Sequence, residues 1–203
     1  MTQLDVLKEV LGRLHELGIA YALTGSHAST YWGEPRSTHD IDLVLVVSAA
    51  EAEALAEAAG PDYYADPQMA REAPGHTNHF NFIHHETGIK VDFWVLGQGA
   101  YDRQRFARRL APDAAQPSLV VLAPEDVILS KLLWARLGAD ERQPRDIAAI
   151  LRLQSGSLDL QYLRRWAAQL GLSERLETLL AATERQAGPA PEGGASPQAP
   201  SGR

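Results

Sequence analysis

Two aspartates, Asp40 and Asp42, stand at the start of a run that is otherwise apolar through residues 43–47. Alternation along a strand points both carboxylates to one face, with Cα atoms about 6.6 Å apart. Ile41 and Leu43 then face the other side, where they can pack under a helix. Paired carboxylates on a rigid face suit divalent cations, which prefer oxygen ligands. On its own the pattern is also compatible with two solvated residues at a strand start.

Gly25 and Ser26 lie between a predicted strand at 19–24 and a predicted helix at about 27–33. At such a junction, exposed backbone N–H groups and the positive end of the helix dipole can bind phosphate. Gly25 permits close backbone approach, and the Ser26 hydroxyl can donate to a phosphate oxygen. A plain glycine turn, with Ser26 as the helix N-cap, is the alternative.

A third carboxylate, Asp92, lies inside the apolar stretch KVDFWV. An aspartate in so hydrophobic a strand needs a partner. The candidates are a metal ion shared with Asp40 and Asp42, or a nearby arginine. Lys90, one of three lysines in a chain with sixteen arginines, lies two residues earlier and is a candidate supporting residue.

The elements that must position these side chains follow from the hydrophobic periodicity. Residues 61–78 are predicted to be a loop with a short strand at 63–64, and residues 86–88 a hairpin turn, which favours a mixed sheet. Helices are predicted at 3–17, 27–33, 49–59, 101–110, 125–137, 144–153, 158–170 and 173–185, and strands at 19–24, 41–47, 79–85, 89–96 and 118–123. We therefore expect an α/β half (1–123), a helical region packed on it (124–186) and a disordered tail (187–203) rich in Pro, Gly, Ala and Ser.

Composition narrows the class of protein. The 203 residues are 45% hydrophobic and 22% charged, as is ordinary for a soluble globular chain. The absence of cysteine excludes disulfides, thiol catalysis and cysteine-ligated zinc. No apolar run approaches the ~20 residues of a membrane span, and the acidic amphipathic N-terminus is unlike a signal peptide. We expect a cytoplasmic protein with no membrane partner, and the net charge of −7 disfavours a general nucleic-acid coat.

Two clusters of charged or metal-ligating residues carry no predicted role. Histidines crowd the hairpin region, but His84 and His85 face opposite sides of a strand, so a zinc site is not expected. His39 is interpreted as a turn residue. The arginines within residues 103–109 are interpreted as a solvated helix face.

The segments ALTGSHA (22–28), DIDLVL (40–45) and KVDFWV (90–95) together resemble the nucleotidyltransferase superfold of the DNA polymerase β type. The resemblance spans about residues 15–96 and implies an α/β nucleotidyltransferase fold. It implies that Asp40, Asp42 and Asp92 hold two Mg²⁺ ions, with Mn²⁺ as a substitute. It further implies that an NTP gives up its NMP to an acceptor, with pyrophosphate leaving and Asp92 helping to deprotonate that acceptor.

Residues 123–151 resemble the segment after the core in small bacterial nucleotidyltransferases of the AbiEii abortive-infection type. By that resemblance Lys131 would neutralise the triphosphate, and Asp146, in the pair Arg145–Asp146, would orient Lys131 or another group. Arg36 would assist phosphate binding. The alternatives are ordinary charge patterns on amphipathic helices and, for Arg36, a salt bridge within a turn.

The implied function is that of a toxin in a toxin–antitoxin or phage-defence system, with tRNA or a protein side chain as acceptor and a cognate antitoxin as a possible partner. A small-molecule nucleotidyltransferase of the antibiotic-modifying type shares the same core and is the alternative enzyme. A non-catalytic nucleotide-binding or regulatory module is the third hypothesis. The presence of all three carboxylates disfavours the third hypothesis.

Overall fold

A computed structural model describes residues 1–112, 116, 118–138 and 142–187. The strands are β1 (Ala20–Leu23), β2 (Asp40–Val46), β3 (Tyr63–Ala65), β4 (His79–His84) and β5 (Lys90–Val95). The helices are α1 (Gln3–Glu16), α2 (Gly25–Trp32), α3 (Ala49–Glu57), α4 (Pro67–Glu72), α5 (Ala100–Ala107), α6 (Pro124–Leu137), α7 (Arg142–Leu153), α8 (Leu160–Leu170) and α9 (Ser173–Ala187).

The strands form one mixed sheet in the order β1-β2-β5-β4-β3. β2 and β5 pair in parallel, and the other neighbours are antiparallel. The predicted hairpin between β4 and β5 is confirmed. The parallel pair is central, so the residues that β2 and β5 carry lie in the most rigid part of the sheet.

One face of this sheet is packed with apolar side chains. Ile41 and Leu43 on β2 and Val91 and Phe93 on β5 are fully buried. Phe80 on β4 stacks on Phe93 with ring centroids 4.8 Å apart. Each buried CH₂ group stabilises the fold by about 0.8 kcal/mol. A one-residue slip would move these side chains to the other face of the sheet, so their burial fixes the strand register. The residues that alternate with these apolar side chains, including Asp40, Asp42 and Asp92, lie on the opposite face of the sheet.

The helices after residue 123 pack closely on the rest of the chain. α6 contacts α2, α7 and α8, and α7 contacts α2 and α9. A single cluster of buried apolar side chains includes Leu43 of β2, Ile128 of α6 and Ile150 of α7. The predicted mixed sheet followed by a helical segment is therefore confirmed, whereas the division of the chain into units at residue 123 stays a prediction.

Three local expectations were wrong. Residues 118–123 do not form a full strand, because Val121 makes only single bridges to Leu23 and Leu110. Residues 61–78 contain helix α4 as well as β3, since Asp66 caps a turn opened by Pro67. Leu4 belongs to the apolar residues at helical spacing that predict the helix at 3–17 and was expected to be buried with them, but it is 55% exposed.

Two further expectations concern the termini and the membrane. Residues 188–203 of the predicted tail lie outside the described residues, and α9 runs to Ala187. No helix of the described residues has the length and apolar character needed to cross a membrane.

Candidate active site

A cavity of about 350 Å³ lies where α2, β2, β5 and α6 meet. Gly25 and Ser26 of α2 line it together with Asp42 of β2. Lys131 of α6 lines it from the C-terminal helical region. Four of the predicted site residues thus share one cavity, whereas Asp40, Asp92, Arg36, Asp146 and Lys90 are not among its lining residues.

Gly25 brings the start of α2 against Asp42. The Thr24 amide donates to the Asp42 carbonyl oxygen at 2.9 Å, which fixes the turn to the edge of β2. Gly25 has φ of +60°, and a Cβ there would lie 2.8 Å from the Cβ of Asp42 and closer still to its carboxylate. A glycine is therefore required both by the backbone conformation and by the lack of space.

Ser26 does not cap α2 as the turn interpretation predicted. The helix begins at Gly25, and its N-cap is Thr24, which makes no side-chain capping hydrogen bond. The Ser26 hydroxyl instead accepts a 2.6 Å hydrogen bond from Arg36 Nη2. Since the first amides of a helix lack intrahelical partners, the N-terminus of α2 offers N–H groups beside the cavity.

The three predicted metal-ligating carboxylates lie on one sheet face. Asp42 and Asp92 are directly paired in the parallel ladder, and Asp40 pairs with Lys90 two positions earlier. Asp40 is exposed and Asp92 is buried. Burial raises the pKa of Asp42; a hydrogen bond from Trp94 opposes this, and the Asp92 and Asp40 carboxylates add to the rise.

Among the described residues, the Asp92 carboxylate has two polar partners, neither of which is an arginine. Its Oδ1 lies 2.7 Å from His79 Nε2 and 2.7 Å from Lys90 Nζ. The expected need for a partner is therefore met by a lysine and a histidine from β5 and β4. The alternative interpretation of an Asp–Arg pair was wrong, because the neighbouring strand places His79 there.

The acidic face matches the donor chemistry of a hard divalent cation. Among the residues described, no group of three or more His, Asp or Glu side chains is arranged so that it could hold a metal ion. The pKa of Asp42 is raised first by burial and to a smaller extent by the Asp92 and Asp40 carboxylates, so the three carboxylates repel one another. Carboxylate oxygens are the ligands such a cation prefers.

A buried ionic network connects α2 to the C-terminal helices. Arg36 donates to both oxygens of Asp146, through Nε at 3.0 Å and Nη2 at 2.9 Å. Lys131 Nζ donates to Asp146 Oδ2 at 2.8 Å and to Gln143 Oε1 at 3.0 Å. Arg36 in turn donates to Ser26. The predicted link between Asp146 and Lys131 is present, and Arg36 pairs across 110 residues rather than within its turn.

The contacts of this network shift the pKa values of Asp146 and Lys131. Burial raises the pKa of Asp146, but hydrogen bonds from Arg36 and Lys131 outweigh burial, and the net pKa is lowered. Burial lowers the pKa of Lys131, and Asp146 opposes that shift. The single carboxylate thus serves as counter-ion to two cations beside the cavity.

The cavity-lining residues that the sequence interpretation missed include Trp94, Trp134 and Arg105. Trp94 lies two residues after Asp92, so strand alternation places it on the same face. Trp134 lies three residues after Lys131 on α6, so helical periodicity places it on the same side of the helix. These two residues could therefore have been predicted from the sequence. Arg105 belongs to the cluster interpreted as a solvated face. It pairs with Asp102 at 2.9 Å and donates to Ser130 Oγ at 3.3 Å, and only 16% of its side chain is exposed.

Comparison with solved structures identifies the fold. The chain is similar to an antigenic nucleotidyltransferase-like protein from Paracoccidioides brasiliensis, with a TM-score of 0.51 and 19% identity over 88% of this chain and 91% of that one. This chain has the nucleotidyltransferase fold.

Two other solved structures with similarity to the chain score lower. The antibiotic-resistance factor ANT(2'')-Ia has a TM-score of 0.48 and 17% identity over 91% of this chain and 92% of that one. JHP933 from Helicobacter pylori has a TM-score of 0.45 and 12% identity over 90% and 92%. No protein-family model and no curated protein matches the sequence. At these identities the likeness concerns the nucleotidyltransferase fold alone.

Proposed function

We propose that the protein is a nucleotidyltransferase that moves an NMP from an NTP to an acceptor. The observation that carries the proposal is the cavity of about 350 Å³ in which the N-terminus of α2, Asp42 and Lys131 meet. Backbone amides with Ser26 and Lys131 suit the triphosphate, and the acidic sheet face lies beside them. This combination occurs within a nucleotidyltransferase fold.

The residues of the chain have separate tasks in this proposal. The amides at the start of α2 and the Ser26 hydroxyl bind phosphate oxygens. Lys131, held by Asp146, supplies positive charge to the triphosphate, and Arg36 holds Ser26 in place. Because phosphoryl transfer depends mostly on positioning and charge neutralisation, such contacts carry much of the catalysis.

The acidic face completes the site. Asp40, Asp42 and Asp92 would hold divalent cations, two Mg²⁺ or alternatively Mn²⁺, which when bound neutralise charge on the phosphates. Asp92 accepts the proton of the acceptor oxygen as that oxygen attacks the α-phosphate, the bond between the α- and β-phosphates breaks and pyrophosphate leaves. Its hydrogen bonds with His79 and Lys90 fix its orientation for this step.

For the acceptor, we infer tRNA or a protein side chain, as in an AbiEii-type toxin that a cognate antitoxin would restrain. Support comes from the likeness of residues 123–151 to that type, together with the Lys131–Asp146 contact. The assignment of the acceptor must be tested against two alternatives. One is a small-molecule acceptor of the antibiotic type, and the other is a non-catalytic regulatory module.

The test is transfer of label. The protein is incubated with each α-³²P-labelled NTP and Mg²⁺ in the presence of total tRNA, cell lysate or a panel of aminoglycosides. Label in tRNA or protein is expected, and label in the small-molecule pool would replace the toxin assignment. Asp42→Ala should abolish transfer while the circular dichroism spectrum stays that of the native protein. Absence of transfer to every acceptor, with no MgNTP binding by calorimetry, would leave a non-catalytic module.

A further inference from the structure

Two tryptophans form an aromatic corner at the cavity, defined as the rings of Trp94 and Trp134. Their centroids are 5.1 Å apart and their planes meet at 67°. Trp94 comes from β5 and Trp134 from α6, so the corner bridges the sheet and the C-terminal helices. Both residues line the same cavity as Gly25 and Asp42.

Trp94 is held in one orientation from two sides. Its Nε1 donates to Asp42 Oδ1 at 3.2 Å. The ring of His79 packs against it with centroids 4.4 Å apart. A ring fixed in this way loses little conformational entropy when a ligand stacks against the corner.

Trp134 is exposed just beyond the buried part of its helix. Residues 124–132 of α6 are all buried, yet 51% of Trp134 is exposed. Trp134 lies three positions after Lys131, and residues at that spacing share a helix face. A large apolar ring exposed beside a cationic side chain is suited to a ligand with a flat ring and an anionic group.

We propose that the aromatic corner binds the nucleobase of the NTP, with the base stacked on Trp134. The inference rests on the proposed function, because the triphosphate is then placed at Lys131 and the N-terminus of α2. Aromatic stacking suits every base, since each base has a π-face. Trp134, the ring on which the base stacks, comes from α6 and not from the acidic face, so base stacking and metal binding involve different side chains.

Calorimetry with two ligands tests this. MgATP carries base and phosphates, and Mg-tripolyphosphate carries the phosphates alone. Trp134→Ala is expected to weaken MgATP about tenfold or more, and to leave the affinity for Mg-tripolyphosphate unchanged. Trp134→Phe keeps a stacking ring and should restore most of the MgATP affinity. Tyr64→Ala is the matched control, since Tyr64 is 48% exposed on β3 and does not line the cavity.

Fluorescence provides a readout that a merely structural role would not change. MgATP should quench the tryptophan emission of the wild-type protein, and Mg-tripolyphosphate should not. The quench should be smaller in Trp134→Phe at saturating MgATP, even though the nucleotide still binds.

Three results would overturn the inference. If Trp134→Ala binds MgATP as tightly as the wild-type protein, the base does not bind at the corner. If Trp134→Ala raises only the KM for the acceptor, the corner binds the acceptor instead. Equal weakening of both ligands would indicate general disruption of the cavity. If neither ligand binds the wild-type protein, the proposed function itself fails, and this is distinguishable from a failure of the corner alone.

Discussion

Gly25 lies against Asp42 so closely that a Cβ on Gly25 would stand 2.8 Å from the Cβ of Asp42. The turn at the phosphate-binding end of α2 and the central carboxylate of the acidic face are thus in direct contact. Neither can shift without the other, because the Thr24 amide also bonds to the Asp42 carbonyl.

Gly25→Ala should therefore damage the site as well as the backbone. Alanine at φ of +60° costs about 1 kcal/mol in strain, and its methyl group must displace the Asp42 carboxylate. We expect MgATP affinity to fall at least about tenfold, as measured by calorimetry, with a lower urea midpoint. Gly18→Ala is the matched control: Gly18 has φ of +66° but an added Cβ meets nothing within 4 Å. Equal losses in the two variants would show that strain alone is responsible.

Asp42→Asn should separate activity from stability. The raised pKa of Asp42 reflects burial and repulsion from Asp92 and Asp40, which the neutral amide removes. Its Oδ1 can still accept from Trp94. We expect transfer to fall at least about a hundredfold, while the melting temperature of the metal-free protein stays equal or rises. Asp62→Asn, at an exposed position outside the cavity, should change neither the rate of transfer nor the melting temperature. A lower melting temperature for Asp42→Asn would contradict the repulsion between Asp42 and the other two carboxylates.

Asp146→Ala should strongly destabilise the fold. Its carboxylate is 7% exposed and is the shared counter-ion of Arg36 and Lys131, so truncation leaves two cations facing each other. Removing one partner of a buried ionic group costs about 3 kcal/mol or more in unfolding free energy, measurable by urea titration. Glu177→Ala removes the exposed partner of Arg164 and should have no measurable effect, since surface pairs contribute little. Similar stabilities for the two variants would disprove the role of Asp146.

Asp126 should make stability depend on pH. Burial raises its pKa to about 6, although Tyr162 donates to its Oδ1 at 2.6 Å and Arg108 lies nearby. An aspartate in the unfolded chain titrates near 3.9. Between about pH 4 and pH 6 the folded chain binds a proton that the unfolded chain does not. This residue's contribution is therefore present at low pH and is lost as pH rises through about 6.

The matched variant is Asp126→Asn, whose Oδ1 can still accept from Tyr162. Relative to wild type, its unfolding free energy should increase by about 2 kcal/mol between pH 4 and pH 7, because only wild type loses the proton. Urea unfolding of both proteins across that range measures the difference. A difference that stays constant with pH would mean that Asp126 titrates normally.

Local patterns predicted much of the site. Alternation placed Asp40 and Asp42 on one face, and the glycine between strand and helix marked the turn at Gly25. These predictions succeeded because they depend on residues close together in sequence. The proximity of Asp92 to Asp42 was expected as one of two alternatives for its partner, and the structure supplies the register of their pairing.

What remained beyond prediction depends on packing between distant segments. Arg36 and Asp146 are 110 residues apart, and no local pattern specifies their pairing. The contact of Trp94 with Trp134 requires α6 to lie across the sheet. Arg105 of α5 lines the cavity and donates to Ser130 of α6, a contact that also depends on the placement of α6. The alternative in which Ser26 caps α2 was wrong, because the helix begins at Gly25 with Thr24 as its N-cap and the Thr24 amide bonds to Asp42.

The order of the cavity walls along the chain has a consequence for synthesis. The turn at Gly25 and the Asp42 strand are made first, Asp92 follows fifty residues later, and Lys131 later still. A nascent chain therefore carries an acidic sheet face before it carries the cationic wall that faces it. A polypeptide released before α6 is complete would lack that wall, so the cavity gains all of its lining only after the α6 segment has been made.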